Sequence, residues 1–256
     1  GSVSSGPMQD AQWWKSFNDP VLNALIEQGY TNNPSLQSTG VNILKARATL
    51  GQSVGELYPQ SQAIEGNYTH QEMGEGSQYE GVIPSTFDTS SISAVASWEM
   101  DFWGKYRRAI RANDAGFLAS IAAYDDALVS LTAEIGSSYI SIRSYQAQII
   151  VTTRNILAQK ISLKIIQAQY DVGQADLISV QEAIASLKQT QASLPGIKIS
   201  LEQEKDALAV LLGTTPNKVH ALVKTEKAII PVAPSSIAVG IPKEVLEQRP
   251  DVKEAQ

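Results

Sequence analysis

Few residues of this chain are of the types that perform covalent chemistry, and none of them is spaced for it. There are two histidines, His70 and His220, and no cysteine, which removes thiolate nucleophiles, disulfides and sulfur metal sites. Neither histidine stands in a metal-ligand or nucleophile pattern, so each is expected to be a solvated side chain. Asp125 and Asp126 are adjacent, and neighbours on a helix point about 100° apart. They read as a hydrated face rather than a paired-carboxylate acid–base site. Gly74-Glu75-Gly76 lacks the Gly-Lys-Ser/Thr that completes a phosphate loop. Asn67-Tyr68-Thr69 has the form of a glycosylation acceptor, but it falls in a strand pattern and is given no role. No catalytic residue, metal ligand or cofactor is expected, and the chain does not read as an enzyme.

The charged cluster with a better claim to function is non-covalent. Lys105, Arg107, Arg108 and Arg111 follow directly on Trp98, Phe102 and Trp103. Cations beside an aromatic group suit the boundary between lipid and water. A helix that is merely basic at its start works against its own dipole.

The elements that must carry these residues are of two kinds. From Leu57 to Met73, Ile64, Gly66, Tyr68 and His70 alternate with Glu65, Asn67, Thr69 and Gln71. From Ile92 to Phe102, Ile92, Ala94, Ala96, Trp98, Met100 and Phe102 point one way, and Ser93, Val95, Ser97, Glu99 and Asp101 the other. Period two predicts strands, and the Gly-, Ser- and acid-rich stretch from Gly74 to Asp88 predicts the loop between them. One face is apolar and the opposite face carries carboxylates, the pattern of a barrel strand with lipid outside and water inside. A soluble hairpin packed on a core alternates in the same way.

The rest is helical. Asp19 and Pro20 open one amphipathic run with Val21, Leu22, Leu25 and Ile26. Asn32-Asn33-Pro34 opens a second, ending near Gly55. A third runs from about Gly104 to Tyr170, with an apolar stripe at Phe117, Ile121, Tyr124, Leu128, Leu131, Ile135, Tyr139 and Ile142. Such a helix would be roughly 100 Å long, far too long for one small globular core. It belongs in a tube, stalk or shared bundle. Gly173 is placed for a left-handed stop and Asp176 for the next N-cap. A return helix from Leu177 to Leu212 is expected, bent or interrupted at Pro195-Gly196, with Leu177, Val180, Ala183, Ile184 and Leu187 as its seam. Val219 to Val239 reads as an extended connector, and residues 1–6 as a flexible start or tag remnant.

Composition bounds the partners. The net charge is −6, with Lys and Arg dispersed and no basic stripe, so nucleic acid is not a partner. No run approaches the roughly eighteen apolar residues of a transmembrane helix, and any membrane role must use strands. Pro242-Lys243-Glu244-Val245-Leu246, leading to Arg249-Pro250-Asp251-Val252, echoes Pro20-Val21-Leu22 leading to Asn33-Pro34-Ser35-Leu36. Internal duplication gives such an echo.

These residues carry a resemblance. The pieces are Trp13-Trp14 with Phe17, Asp19-Pro20 and Leu22; Tyr58-Pro59; and the run Ser97-Trp98-Glu99-Met100-Asp101-Phe102-Trp103-Gly104-Lys105. Tyr170-Asp171-Val172-Gly173, Leu211-Leu212-Gly213 with Pro216, and Arg249-Pro250-Asp251-Val252 follow in order. The whole chain resembles the first structural repeat of an outer-membrane factor, the TolC-like exit duct of Gram-negative efflux and type I secretion systems. The resemblance implies a mainly α fold with a β-hairpin, in which long antiparallel helical hairpins form an α-barrel and strands join a transmembrane β-barrel. Three two-repeat protomers would close one twelve-stranded barrel. Residues 1–56 would be an equatorial segment with the first helix, and 57–102 the barrel hairpin with its extracellular loop. Residues 103–212 would be the periplasmic helical hairpin, and 213–256 an equatorial connector and the start of a second repeat.

The resemblance also implies roles. Val172, Gly173, Gln174 and Ala175 would meet a periplasmic adaptor, which links the duct to an inner-membrane pump. Ile92, Ala94, Ala96, Trp98, Met100 and Phe102 would face outer-membrane lipid. Glu99 and Asp101 would face the lumen, and Trp103, Lys105, Arg107 and Arg108 the membrane interface. The function implied is a passive conduit for small molecules, set in the bacterial outer membrane and reaching into the periplasm. The chain is about half the family's length and lacks the lipidated cysteine of many relatives, so it is read as a truncated piece. Gate residues belong to the missing repeat and none is assigned. The competing function is a soluble coiled-coil interaction or adaptor protein.

Overall fold

The computed structural model describes residues 2–5, 12–74, 76, 84, 86–224, 229–232, 236–239 and 249–255. In chain order the elements are β1 (Ser2–Ser5), a 3-10 turn (Trp13–Phe17), α1 (Pro20–Asn32), α2 (Pro34–Gly55), β2 (Ser61–Glu72) and β3 (Thr86–Ser97). There follow α3 (Lys105–Asp171), α4 (Leu177–Leu211), α5 (Pro216–Leu222), β4 (Ser236–Val239) and α6 (Pro250–Ala255). The chain divides into two units. One comprises residues 1–41 and 121–256, the other residues 42–120.

The larger unit holds the core. Its helices begin where short polar side chains satisfy free backbone donors. Asp19 accepts from the N–H groups of Val21 (2.8 Å) and Leu22 (3.2 Å), with Pro20 in the first turn. Asn33 accepts from Leu36 N–H at 2.8 Å while its side-chain amide donates to the Leu211 carbonyl at 2.8 Å. One asparagine thus caps α2 and ties it to the end of α4. Leu22, Leu25 and Ile26 of α1 pack with Leu131, Ile135, Tyr139 and Ile142 of α3, Leu208 of α4, and Leu212, Val219 and Val223 beyond it. These are the middle and end of the α3 stripe; Ile121, at its start, is 37% exposed. Gly29 lets α1 approach α3 closely, since a Cβ there would land on the Ile135 side chain.

Helices α3 and α4 run antiparallel, as bonds from Ser138 to the Glu204 carbonyl and from Gln159 to Ser186 show. In the return seam Val180 and Leu187 are buried, whereas Leu177 is exposed. Pro195 does not interrupt α4, which runs on through it, so of the two expected effects the interruption is absent. Pro195 is exposed, so the carbonyl it leaves unpaired one turn back lies at a wet stretch of helix.

Two further expectations are corrected in this unit. The first residues of the expected connector, Val219 to Leu222, belong instead to α5, which Pro216 opens because proline fits the first helical turn. Residues 2–5 are not a loose start: Ser2–Ser5 pairs in parallel with Ser236–Val239. Of the proposed duplication, Pro242 to Leu246 lie outside the described residues, while Pro250 does open α6.

In the smaller unit the only sheet among the described residues is the antiparallel pair β2–β3. Ser61 pairs with Ser97 and Glu72 with Thr86, without a bulge. The hairpin is therefore longer on its loop side than expected, since β3 begins inside the stretch read as loop. It is also shorter at its other end, and that end builds the site.

Candidate functional site

Directly opposed residues share a face of an antiparallel pair. Ile64 opposes Ala94, Gly66 opposes Ile92, Tyr68 opposes Ser90 and Gln62 opposes Ala96, so Ile92, Ala94 and Ala96 share a mainly apolar face with Ile64 and Tyr68, which also carries Gln62, Ser90 and, at its loop end, the His70–Asp88 pair. Asn67, Thr69 and Glu65 oppose Ser91, Thr89 and Ser93 on the polar face. Ile64 is 84% and Ile92 87% exposed. Nothing in the chain covers that face among the described residues.

Strand β3 stops at Ser97, so Trp98, Glu99, Met100, Asp101 and Phe102 are not strand residues. The cause lies in the partner strand. Ser61 opposes Ser97, and upstream of it Pro59 has no N–H with which to extend the ladder. The side chain of Gln60 stands in for backbone, accepting from Glu99 N–H at 2.8 Å and donating to the Glu99 carbonyl at 3.3 Å. Trp98 donates its indole N–H to the Leu57 carbonyl at 3.1 Å.

The chain turns into α3 through Gly104, whose φ of +73° is left-handed and favours glycine. The acids predicted to line a lumen hold this joint. Asp101 accepts from Arg107 through its backbone N–H (2.9 Å) and Nε (3.3 Å), and its side chain is only 6% exposed. Glu99 accepts from the buried Tyr106 hydroxyl at 2.7 Å and lies 3.8 Å from Lys105, remaining largely open to water. The basic start of α3 is thus partly neutralised by two acids just before it, which relieves its conflict with the helix dipole. Trp103 is 88% and Phe102 73% exposed. Asn113 donates to Ser53 at 2.7 Å, fastening α3 to α2 below the joint.

The second site is the tip between α3 and α4. Gly173 (φ +73°) donates to the Tyr170 carbonyl at 2.9 Å and Gln174 to the Gln169 carbonyl at 2.8 Å. That pair of bonds is the Schellman motif. Asp176 accepts from Ser179 N–H at 2.7 Å, and this bond holds its carboxyl below the ordinary range. Val172, Gly173 and Gln174 are exposed and Ala175 half-buried, with Leu177 and Ile178 exposed beside them.

One polar network went unread in the sequence. Tyr139 donates to Asp19 at 2.6 Å and accepts from Arg143 Nε at 3.0 Å. Arg143 also donates to Gln146 Oε1 and to the Lys224 carbonyl, each at 3.0 Å, and Gln146 donates to the Val223 carbonyl at 3.0 Å. Burial, then the bond to Asp19, push the Tyr139 phenol up to about 12. Every member is satisfied, so the network is a clamp joining the start of α1, α3 and the end of α5. Both histidines are open to solvent, as expected, and each also has a partner: His70 lies 2.6 Å from Asp88 across the hairpin, and His220 3.2 Å from Glu202 beside buried Lys205.

The described features are an exposed apolar strand face, an aromatic and cationic joint and a capped helical tip. Comparison with known proteins gives the family. Residues 25–214 match the family of outer membrane efflux proteins. Nodulation protein T of Rhizobium leguminosarum bv. viciae is 29% identical over 256 residues, covering 99% of this chain and 51% of that protein. The pyoverdine export outer membrane protein OpmQ of Pseudomonas aeruginosa is 26% identical over 251 residues, covering 96% and 52%. Among solved structures, the outer-membrane channel OprN superposes with a TM-score of 0.83 at 27% identity, covering 99% of this chain and 56% of that one. CusC, at 22% identity and a TM-score of 0.78, shares the fold and covers 100% and 59%. The chain spans about half the length of these relatives. Its Trp98 to Lys105 joint, its helical hairpin and its glycine tip all lie within the matched residues, and the chain belongs to the outer membrane efflux protein family.

Proposed function

We propose that this chain supplies one repeat of the wall of a passive export duct crossing the periplasm and the bacterial outer membrane. The observation that carries the reading is the apolar hairpin face, with Ile64 and Ile92 more than four-fifths exposed, in a chain of this family. In water that face is a liability, and a two-stranded sheet is marginal alone. In lipid it is satisfied once further strands close a transmembrane barrel and remove the free edges. Ile92, Ala94 and Ala96 then meet lipid. Trp98, Met100, Phe102 and Trp103, with Lys105, Arg107 and Arg108, sit at the periplasmic interface. Glu99 is the acid left open to the aqueous side.

In the same reading α3 and α4 form a helical hairpin of the periplasmic α-barrel. The tip at Val172, Gly173, Gln174 and Ala175 meets a periplasmic adaptor that couples the duct to an inner-membrane pump. Self-association completes both barrels, as a trimer when two repeats lie in one protomer. Small molecules pass through the shared lumen without covalent change, and energy comes from the pump.

Light scattering with and without detergent, followed by planar-bilayer conductance of the two-repeat protein, tests this. A detergent-bound ring that conducts is the expected result. A detergent-free monomer or dimer without conductance from the two-repeat protein would overturn it.

A further inference from the structure

We propose that Arg108 and Arg111 form a binding site for the phosphate of a lipid headgroup at the membrane–water boundary, an inference that rests on the membrane reading above. The four cations at the start of α3 are not equivalent. Lys105 is 3.8 Å from Glu99, and Arg107 is 3.3 Å from Asp101. Arg108 and Arg111 are exposed, and no carboxylate among the described residues lies within ion-pair distance of either, Asp114 included. The acids of the joint neutralise two charges and leave two.

The remaining two are neighbours: three residues apart, they share one helix face. Arg108 folds back over the turn, for a Cβ at Gly104 would lie 3.3 Å from its Nη1. Its guanidinium therefore lies beside the turn that carries the exposed rings of Phe102 and Trp103. Aromatic side chains of that kind settle at headgroup depth, which puts the arginine pair at the level of lipid phosphates. Two guanidinium forks suit phosphate oxygens, which they bind in parallel bonds. Unpaired cations in the first turns of a helix are unfavourable to it, and a bound anion reverses that sign. An acidic protein segment would lack the aromatic-depth match, so the headgroup of an anionic phospholipid is the occupant.

The test is vesicle flotation of the full chain with phosphatidylcholine alone and with added phosphatidylglycerol, at fixed ionic strength. The wild-type chain should bind the anionic vesicles more tightly. Arg108→Gln with Arg111→Gln should lose that preference, by about thirtyfold in apparent affinity, while keeping its binding to phosphatidylcholine. Lys160→Gln with Lys164→Gln, farther along α3, should keep the preference. Arg108→Lys with Arg111→Lys should fall between, having charge without the fork. A double Gln variant with its preference intact would overturn the proposal, as would a Lys160/Lys164 variant that loses it equally. Competition by inorganic phosphate, beyond that of chloride at equal ionic strength, would reassign the pair to a free anion. A wild-type chain that binds neither vesicle would overturn this inference, while the duct reading stands or falls separately on the conductance of the two-repeat protein.

Discussion

Helix α4 sits between two turns of identical backbone construction and opposite surroundings. At one end Gly173 and Gln174 close a Schellman motif on Tyr170 and Gln169. At the other, Gly213 (φ +56°) and Thr214 close the same motif on Val210 and Ala209. A Cβ added at Gly173 meets nothing within 4 Å, whereas one at Gly213 would land on the Asn32 carbonyl. The first turn is finished by the chain and left open. The second is packed into the joint where Asn33 holds Leu211. The same contrast separates the α1–α3 core, with Ile26, Ile135 and Tyr139 at 0% exposure, from the strand face at Ile64 and Ile92. Positions the chain satisfies by itself and positions it leaves to something else can thus be told apart by what stands next to them.

Substitutions can break that contrast. Gly213→Val should be the most damaging, costing about 3–5 kcal/mol through left-handed strain plus displacement of Asn32, read by chemical denaturation. Tyr139→Phe removes one hydroxyl that serves both Asp19 and Arg143, for about 2 kcal/mol near neutral pH. It should also change the alkaline limb. A phenol whose pKa is raised on folding stabilises below its unfolded value near 10, and that contribution disappears as pH rises through about 12. The phenylalanine variant should lack this loss when melting temperatures are compared across that range.

Gly173→Val meets only backbone strain, about 1–2 kcal/mol. Its larger consequence should be weakened adaptor capture by the two-repeat protein, and unaltered capture would move the docking site off the tip. Asp176→Asn keeps the cap and changes only the acid limb. A carboxyl held low by Ser179 stabilises above its unfolded pKa near 3.9 and ceases to as pH falls through the folded value. Wild type should therefore lose stability relative to the variant as pH falls below about 4, measured by thermal melts. Smallest of all, Ile92→Thr should change stability in water by less than about 0.5 kcal/mol, yet reduce vesicle association.

Local chemistry was legible in the sequence. Asp19-Pro20, Asn33-Pro34, Gly173 and Asp176 mark helix ends because their effect depends on neighbours within three or four residues. The strand face of Ile92, Ala94 and Ala96 was legible for the same reason. The end of β3 was not. Alternation continues through Trp98, Met100 and Phe102, and the limit comes from Pro59 and Gln60, thirty-nine residues from Glu99 in the case of Gln60. The bonds of Asp101 to Arg107 were not legible either, because they cross a turn whose shape depends on Gly104. The Tyr139 clamp was hidden by distance too, Asp19 being 120 residues away. Tyr139 read only as one more member of an apolar stripe.

The parallel pair of Ser2–Ser5 with Ser236–Val239 bears on the order in which contacts form. The connection between its two strands runs through every helix from α1 to α5. Closing a loop costs more entropy the longer the loop is. Packing of those helices shortens the open path between the two strands before they meet. The pair therefore forms after the core, and a molecule whose core has opened carries both strands unpaired.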